Sequence, residues 1–202
     1  IFTLSNDAKK EIMDHYKASP SKIIAIHESG KLEDNSKPGP APTKTPYLLY
    51  VGNAHPHKNV ESLIKAAEIM KLKLILIGND KFFYPRLPKS KYVEVVGEVP
   101  NNKIADWYRH ATALVTASKM EGFGIPPLEA MRMGCPAIVS DIPVFHEVYK
   151  DAAVYFNHLN PQNIAEVIYK TINDKKLMQE MIELGYKKAN SYSWEKLVRE
   201  TA

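Results

Sequence analysis

Glu121 and Glu129 flank the seven-residue segment Gly122-Phe123-Gly124-Ile125-Pro126-Pro127-Leu128. Carboxylates accept hydrogen bonds from hydroxyls, and the two glycines let a backbone pass close to a ligand. A Pro-Pro pair suits the first turn of a helix, where a missing N–H is no loss, so a helix is expected to start at Pro126 or Pro127. The free N–H groups of that helix start would face whatever lies in front of it and favour an anion. Acceptors for hydroxyls beside donors for an anion suit a polyol joined to a phosphate. Two glutamates alone are more commonly a solvated surface at a strand-to-helix turn. Their surroundings decide between the two.

A second stretch with chemical potential is Gly52-Asn53-Ala54-His55-Pro56-His57-Lys58-Asn59. Lys58 just before an expected helix adds a full positive charge to the helix's partial one, which makes an anion site. His55 and His57 contribute charge only when protonated, and loop histidines are commonly just exposed. The loop lacks the spacing of a P-loop, and no Gly-x-Gly-x-x-Gly follows the preceding strand, which disfavours a nicotinamide-binding oxidoreductase.

The elements around these stretches alternate. Residues 47–51, 74–77, 92–96, 113–116, 136–140 and 153–156 read as short, near-continuous apolar strands, the pattern of buried parallel strands. Between them lie helical periods: one capped by Asn59 with Val60, Leu63, Ile64 and Ala67 inward, and one capped by Asn101 with Ile104, Trp107 and Tyr108 inward. The Pro-Pro helix should stop at Gly134. Further helices are expected over 144–149, 161–174, 175–189 and 193–199. This rhythm predicts an α/β fold, a doubly wound parallel sheet, with ligands in the crevice beyond the carboxyl ends of its strands. The loops at that edge are 52–58, 78–80, 97–99, 118–125 and 141–143.

Ahead of this unit, residues 1–4 and 23–26 read as strands around a helix over 8–16. Residues 28–46 are polar and carry four prolines, the composition of an extended linker. The expected organisation is therefore an N-terminal remnant (1–32), a linker (33–46), the doubly wound domain (47–190) and a terminal helix (191–202). With no methionine at Ile1, the sequence reads as part of a longer protein.

Composition narrows the classes. The chain has 202 residues, 45% of them hydrophobic and 25% charged, as in ordinary globular proteins. A net charge of +4 suits an anionic ligand or a loose association with acidic lipid, and the scattered lysines disfavour nucleic acid. The single cysteine, Cys135, excludes an intrachain disulfide and is expected to be a buried thiol. No Cys/His spacing suggests zinc, no Asp-x-Asp occurs, and no apolar run reaches the length of a membrane span. The expected location is cytoplasmic, with the inner membrane face as a further option.

The run Glu121-Gly122-Phe123-Gly124-Ile125-Pro126-Pro127-Leu128-Glu129-Ala130-Met131 resembles the signature of GT-B glycosyltransferases of family 4, the group 1 glycosyltransferases. The loop from Val51-Gly52 to Lys58-Asn59 resembles that family's phosphate-binding turn. Gly97-Glu98-Val99-Pro100 and Gly134-Cys135-Pro136-Ala137-Ile138-Val139-Ser140-Asp141 resemble two more family segments in the same order. The resemblance implies a Rossmann-like domain, the C-terminal half of a GT-B enzyme, binding a nucleotide-sugar donor such as GDP-mannose or a UDP-hexose. It implies that Glu129 holds the ribose and that Glu121 contacts the sugar near its anomeric carbon. Lys58, the Gly52-Asn53 turn and the main chain from Gly122 through Phe123 and Gly124 to Ile125 would surround the diphosphate, and main chain near Val99 would read the base.

Transfer would proceed with retention, with Lys58 and Glu121 as the catalytic pair, without cofactor or metal, to a glycan or lipid-linked acceptor held by an N-terminal domain. The alternative is a non-catalytic or split-enzyme subunit that binds a nucleotide sugar and needs a partner acceptor domain. One residue departs from the pattern. Asn53 stands where many members carry arginine, which leaves Arg86 or His57 to compensate, or a lower donor affinity.

Overall fold

The computed structural model describes residues 1–30 and 38–201. The expected linker therefore lies partly outside the described residues.

The N-terminal segment forms β1 (Phe2–Thr3), α1 (Asn6–Tyr16) and β2 (Ile24–Ala25), with the two strands parallel. Ser5 caps α1 by accepting from the Ala8 amide at 3.1 Å. The same helix start is held from outside, because the Glu147 carboxylate accepts from the Asn6 and Asp7 amides at 2.8 and 3.0 Å. An anion at exposed helix amides is the favourable arrangement there. Glu147 also meets the His27 ring at 2.8 Å. Burial pushes the Glu147 carboxyl up, but the bonds from His27, Asn6 and Asp7 hold it below the usual value on balance.

The main unit runs β3 (Leu48–Val51), α2 (Val60–Met70), β4 (Leu74–Ile77), β5 (Val93–Gly97), α3 (Asn101–His110), β6 (Ala113–Thr116) and α4 (Ile125–Arg132). It continues through β7 (Ala137–Ser140), α5 (Pro143–Tyr149), β8 (Ala153–Phe156), α6 (Pro161–Asn173), α7 (Lys175–Asn190) and α8 (Trp194–Thr201). Among the described residues, six strands pair in parallel in the order β5-β4-β3-β6-β7-β8. Every residue of β4, β6 and β7 is buried, so both faces of the sheet must be covered.

Alternation sorts the side chains. Leu48, Tyr50, Leu74 and Leu76 join α2 and α6 on one face, with Val60, Leu63, Ile64, Ile164 and Ile168. Leu49, Ile75, Ile77 and Leu114 join α3 and α4 on the other, with Ile104, Tyr108, Ala130 and Met133. Cys135 is buried in this second cluster, and burial pushes its thiol up to about 12. The doubly wound sheet expected from the sequence is therefore present.

Strand order reverses between β3 and β6, since β4 and β5 lie on one side of that pair and β7 and β8 on the other. At such a reversal the loops leaving the two strands turn to opposite faces and open a crevice. Those two loops are the glutamate stretch and the lysine stretch.

Three helix starts differ from expectation. The α4 helix begins at Ile125, ahead of the expected start at Pro126 or Pro127, because Gly124 takes the cap position at φ 93°. Asn59 sits at the cap of α2 in the left-handed region, but its side chain accepts from Ser62 Oγ and donates to the His158 carbonyl. Asn101 is already helical, and Pro100 precedes it as the cap, its carbonyl accepting from Lys103 at 2.8 Å. Proline's fixed φ supplies the entry geometry that a side-chain cap would otherwise secure.

Candidate functional site

The loop after β3 turns through a single 3-10 turn, Pro56–Lys58, before α2 begins. The loop after β6 runs from Ala117 to Gly124. Backbone ties the two together, since the Lys119 amide donates to the His57 carbonyl at 2.7 Å. This brings Lys58 opposite Glu121. The ammonium donates to both carboxylate oxygens, at 2.7 and 2.8 Å. The two side chains keep only 19% and 14% of their exposure, so the pair is far less screened than a surface ion pair. Ser118, fully buried, adds a bond of 2.7 Å to the same carboxylate.

Free valences can be counted. An ammonium has three N–H donors and a carboxylate about four lone-pair directions. Lys58 spends two donors on Glu121, and the third is left for another acceptor. Glu121 receives three hydrogen bonds among the described residues, which leaves room for about one hydroxyl.

These groups line a cleft of about 90 Å³ with Gly52, Asn53, Thr116, Gly124, Pro126 and Pro127. That volume holds a phosphate-sized group and not a whole nucleotide, so a larger ligand must extend into the open groove outside. A groove of about 720 Å³ lies at the amino ends of β3, β4 and β5, lined by Thr45, Lys73 and Lys91 among others. It is larger but stands at the wrong edge of a parallel sheet for its ligand.

Three phenols fix the two loops. Tyr84 donates to the Gly52 carbonyl at 2.8 Å, Tyr50 to the Asn53 carbonyl at 2.6 Å, and Tyr149 to the Gly124 carbonyl at 2.5 Å. Burial raises the pKa of all three phenols, so they stay protonated as donors. Two glycines are required by this packing. A Cβ on Gly78 would stand 1.8 Å from the Gly52 carbonyl oxygen, and one on Gly124 would stand 2.2 Å from the Tyr149 hydroxyl.

Glu129 sits in α4, outside the lining of the cleft, in a different setting. It is half-buried, and the Tyr108 hydroxyl donates to its Oε2 at 2.7 Å. Burial pushes its carboxyl up, and the phenol bond pulls it part of the way back.

Of the residues singled out in the sequence, Gly52, Asn53, Lys58, Glu121 and Gly124 meet in one cleft. Ile125 follows as the first residue of α4, while Gly122 is exposed on the loop. Phe123 turns its ring into the core, 5.5 Å from the ring of Tyr192, and its side chain does not line the cleft. Val99 follows β5, two strands away from β3, and packs partly against the second core cluster. Asn53 closes its own turn by accepting from the His55 amide at 3.2 Å.

Arg86, named as able to compensate for the absent arginine, does not line the cleft. Its guanidinium lies over the Phe82 ring at 3.6 Å and donates to the Phe82 carbonyl, and it lines a separate hollow with His55 and Lys119. His57 is held neutral more strongly than usual, by burial first and by Lys58 next. Ser118 and Tyr108 were not marked as site residues by the sequence. Each is an ordinary polar or core residue until its partner is placed beside it.

Among the described residues no cluster of three His, Cys, Asp or Glu side chains could hold a metal ion, and no helix is long and apolar enough to cross a membrane.

Comparison with known proteins agrees with this fold. The family model described as "Glycosyl transferases group 1" matches residues 32–188. The O-antigen chain mannosyltransferase RfbU of Salmonella typhimurium is 36% identical over 166 residues, covering 78% of this chain and 46% of that protein. O-antigen chain mannosyltransferase B of Escherichia coli is 29% identical over 168 residues, covering 77% of this chain and 44% of that protein. The chain thus spans a little under half the length of these curated relatives. Among solved structures, Anabaena HepE in complex with UDP and glucose superposes with a TM-score of 0.79 at 16% identity, covering 98% of this chain and 60% of that one. At that identity the likeness concerns the fold.

Proposed function

The chain belongs to the group 1 glycosyltransferases, and from that premise we propose that it binds a nucleotide-diphosphate sugar and serves its transfer to a glycan or lipid-linked acceptor. The observation that carries the proposal is the Lys58–Glu121 pair, set where the sheet order reverses and beside the first turn of α4. The remaining N–H of Lys58 and the backbone N–H groups of Gly124 and Ile125 are the donors for the diphosphate, since Pro126 and Pro127 carry none. The open acceptor direction of Glu121 takes a sugar hydroxyl near the anomeric carbon. Glu129 takes the ribose hydroxyls, and the main chain near Val99 meets the base.

The main electrostatic task is to stabilise the charge that develops on the departing nucleoside diphosphate. Lys58 does this from a site already organised by Glu121 and Ser118. In the proposed retaining reaction, the acceptor hydroxyl forms its bond to the anomeric carbon on the face from which the diphosphate leaves. The bond from that carbon to the phosphate oxygen breaks, and the hydroxyl proton passes to a departing phosphate oxygen. No step calls on a metal, because Lys58 and the N–H groups of Gly124 and Ile125 supply the positive charge. The acceptor is proposed to lie on a further domain.

Two relatives bear the name of O-antigen chain mannosyltransferases, so GDP-mannose is the first donor to try. Calorimetric titration with GDP-mannose, UDP-glucose and UDP-N-acetylglucosamine tests the reading. Saturable binding of one of them, weakened by Lys58→Ala, is expected. A folded chain that binds no nucleotide sugar would overturn it.

A further inference from the structure

The residue that orients Glu129 can be read from the core beneath it. Tyr108 lies in α3 with no exposed surface, packed in the cluster formed by Tyr47, Leu49, Ile75, Leu114 and Met133. A ring so enclosed has one orientation, and its hydroxyl is the only polar atom it carries. That hydroxyl donates to Glu129 Oε2 at 2.7 Å, and among the described residues it is the only hydrogen-bond partner of the carboxylate.

We infer that Tyr108 is the positioning residue for Glu129, fixing the carboxylate so that its remaining lone pairs accept both vicinal hydroxyls of the ligand's ribose. The inference rests on the reading of Glu129 as the ribose acceptor given above.

The valence count supports it. Of about four acceptor directions on the carboxylate, the phenol uses one, which leaves more than the two a diol needs. Glu121, with three directions already taken, has no such capacity. A half-buried carboxylate with no partner would be free to rotate and costly to keep ionised. The phenol addresses both, since it fixes the carboxylate plane and favours the ionised form that accepts from hydroxyls. The Tyr108 phenol is itself held protonated by burial, so it can only donate to Glu129.

Tyr108→Phe removes the hydroxyl and leaves the ring. The test compares calorimetric affinities for GDP and for its 2′-deoxy and 3′-deoxy forms in the wild-type chain, Tyr108→Phe, Glu129→Gln and the double variant. The wild type should prefer GDP by about tenfold or more, the scale of one hydrogen bond to a charged group. Tyr108→Phe should weaken GDP by about tenfold while leaving the deoxy forms within about twofold, so the preference collapses. In the Glu129→Gln background Tyr108→Phe should cost nothing further, because a side chain with one acceptor oxygen can no longer take both hydroxyls however it is oriented.

A purely structural role would weaken all three ligands equally and would add to Glu129→Gln, and either result overturns the inference. Glu129→Gln can still accept from the phenol, so it reports even if Tyr108→Phe fails to fold, and an undiminished preference there also overturns the inference. If the wild type binds GDP without regard to the diol, only the positioning claim and the ribose role fail. If it binds no nucleotide at all, the donor-site reading fails with them.

Discussion

Glu121 and Glu129 are the same residue type, eight positions apart in one motif, yet the fold treats them in opposite ways. Glu121 faces a cation and a hydroxyl, with three hydrogen bonds in hand. Glu129 faces a phenol and the apolar side of a helix, with one. The first is a charge already neutralised inside the protein, and the second is a charge the protein holds with little compensation. On the proposed reading, these two settings take two kinds of ligand group: an anion that shares Lys58 beside Glu121, and an uncharged diol at Glu129.

The largest expected break falls on the cation paired with Glu121. Lys58→Ala should lower the transfer rate of the full-length enzyme by about 2–4 kcal/mol of transition-state stabilisation, roughly 30- to 1000-fold, read from kcat/KM. Next comes the loop that carries Glu121. Gly124→Ala places a Cβ 2.2 Å from the Tyr149 hydroxyl at φ 93°, so it should destabilise the chain by about 1–3 kcal/mol in urea unfolding and weaken donor binding as well.

The carboxylates themselves should separate in sign. Glu121→Gln leaves the Lys58 ammonium mostly buried without its counter-charge and should lower stability by about 1–3 kcal/mol, a fall of several degrees in Tm. Glu129→Gln should raise Tm, because a burdened charge is removed while the phenol keeps an acceptor. The pH dependence fixes that sign. Glu129 has a folded pKa above the ordinary 4.5, so between 4.5 and that raised value the folded chain binds more protons than the unfolded one. Stability then falls as pH rises through that window. The Tm difference between Glu129→Gln and wild type should be near zero below pH 4.5, grow through the window and level off above it. The smallest effect is expected at Asn53. An arginine there should tighten donor binding by less than about tenfold, the scale of one partly screened charge.

The two carboxylates also mark how far the sequence could be read. Runs such as Leu74–Ile77 and Ala113–Thr116 were legible to the residue, because an apolar strand buried on both faces leaves no polar position to confuse it. Pro126 and Pro127 set the α4 start one or two residues late, since proline marks a first turn but does not reveal that Gly124 adopts the cap geometry. Asparagine signalled the starts of α2 and α3 without predicting how the side chains of Asn59 and Asn101 would be used. The meeting of Lys58 with Glu121 spans 63 positions and that of Tyr108 with Glu129 spans 21. Nothing local encodes such pairings; they come from the strand order, which brings the loops after β3 and β6 together and sets α3 beside α4. The motif thus points to its two glutamates as candidates, while their partners Ser118 and Tyr108 become visible only in the fold.

The division between the two carboxylates is tested most directly by measuring GDP and GDP-mannose affinities side by side in Glu121→Gln and Glu129→Gln. If Glu121 serves the sugar and Glu129 the ribose, Glu121→Gln binds GDP at least as tightly as wild type, since Lys58 is released, but loses the difference between GDP-mannose and GDP. Glu129→Gln weakens both ligands by the same factor. Equal loss of GDP in the two variants would contradict the account.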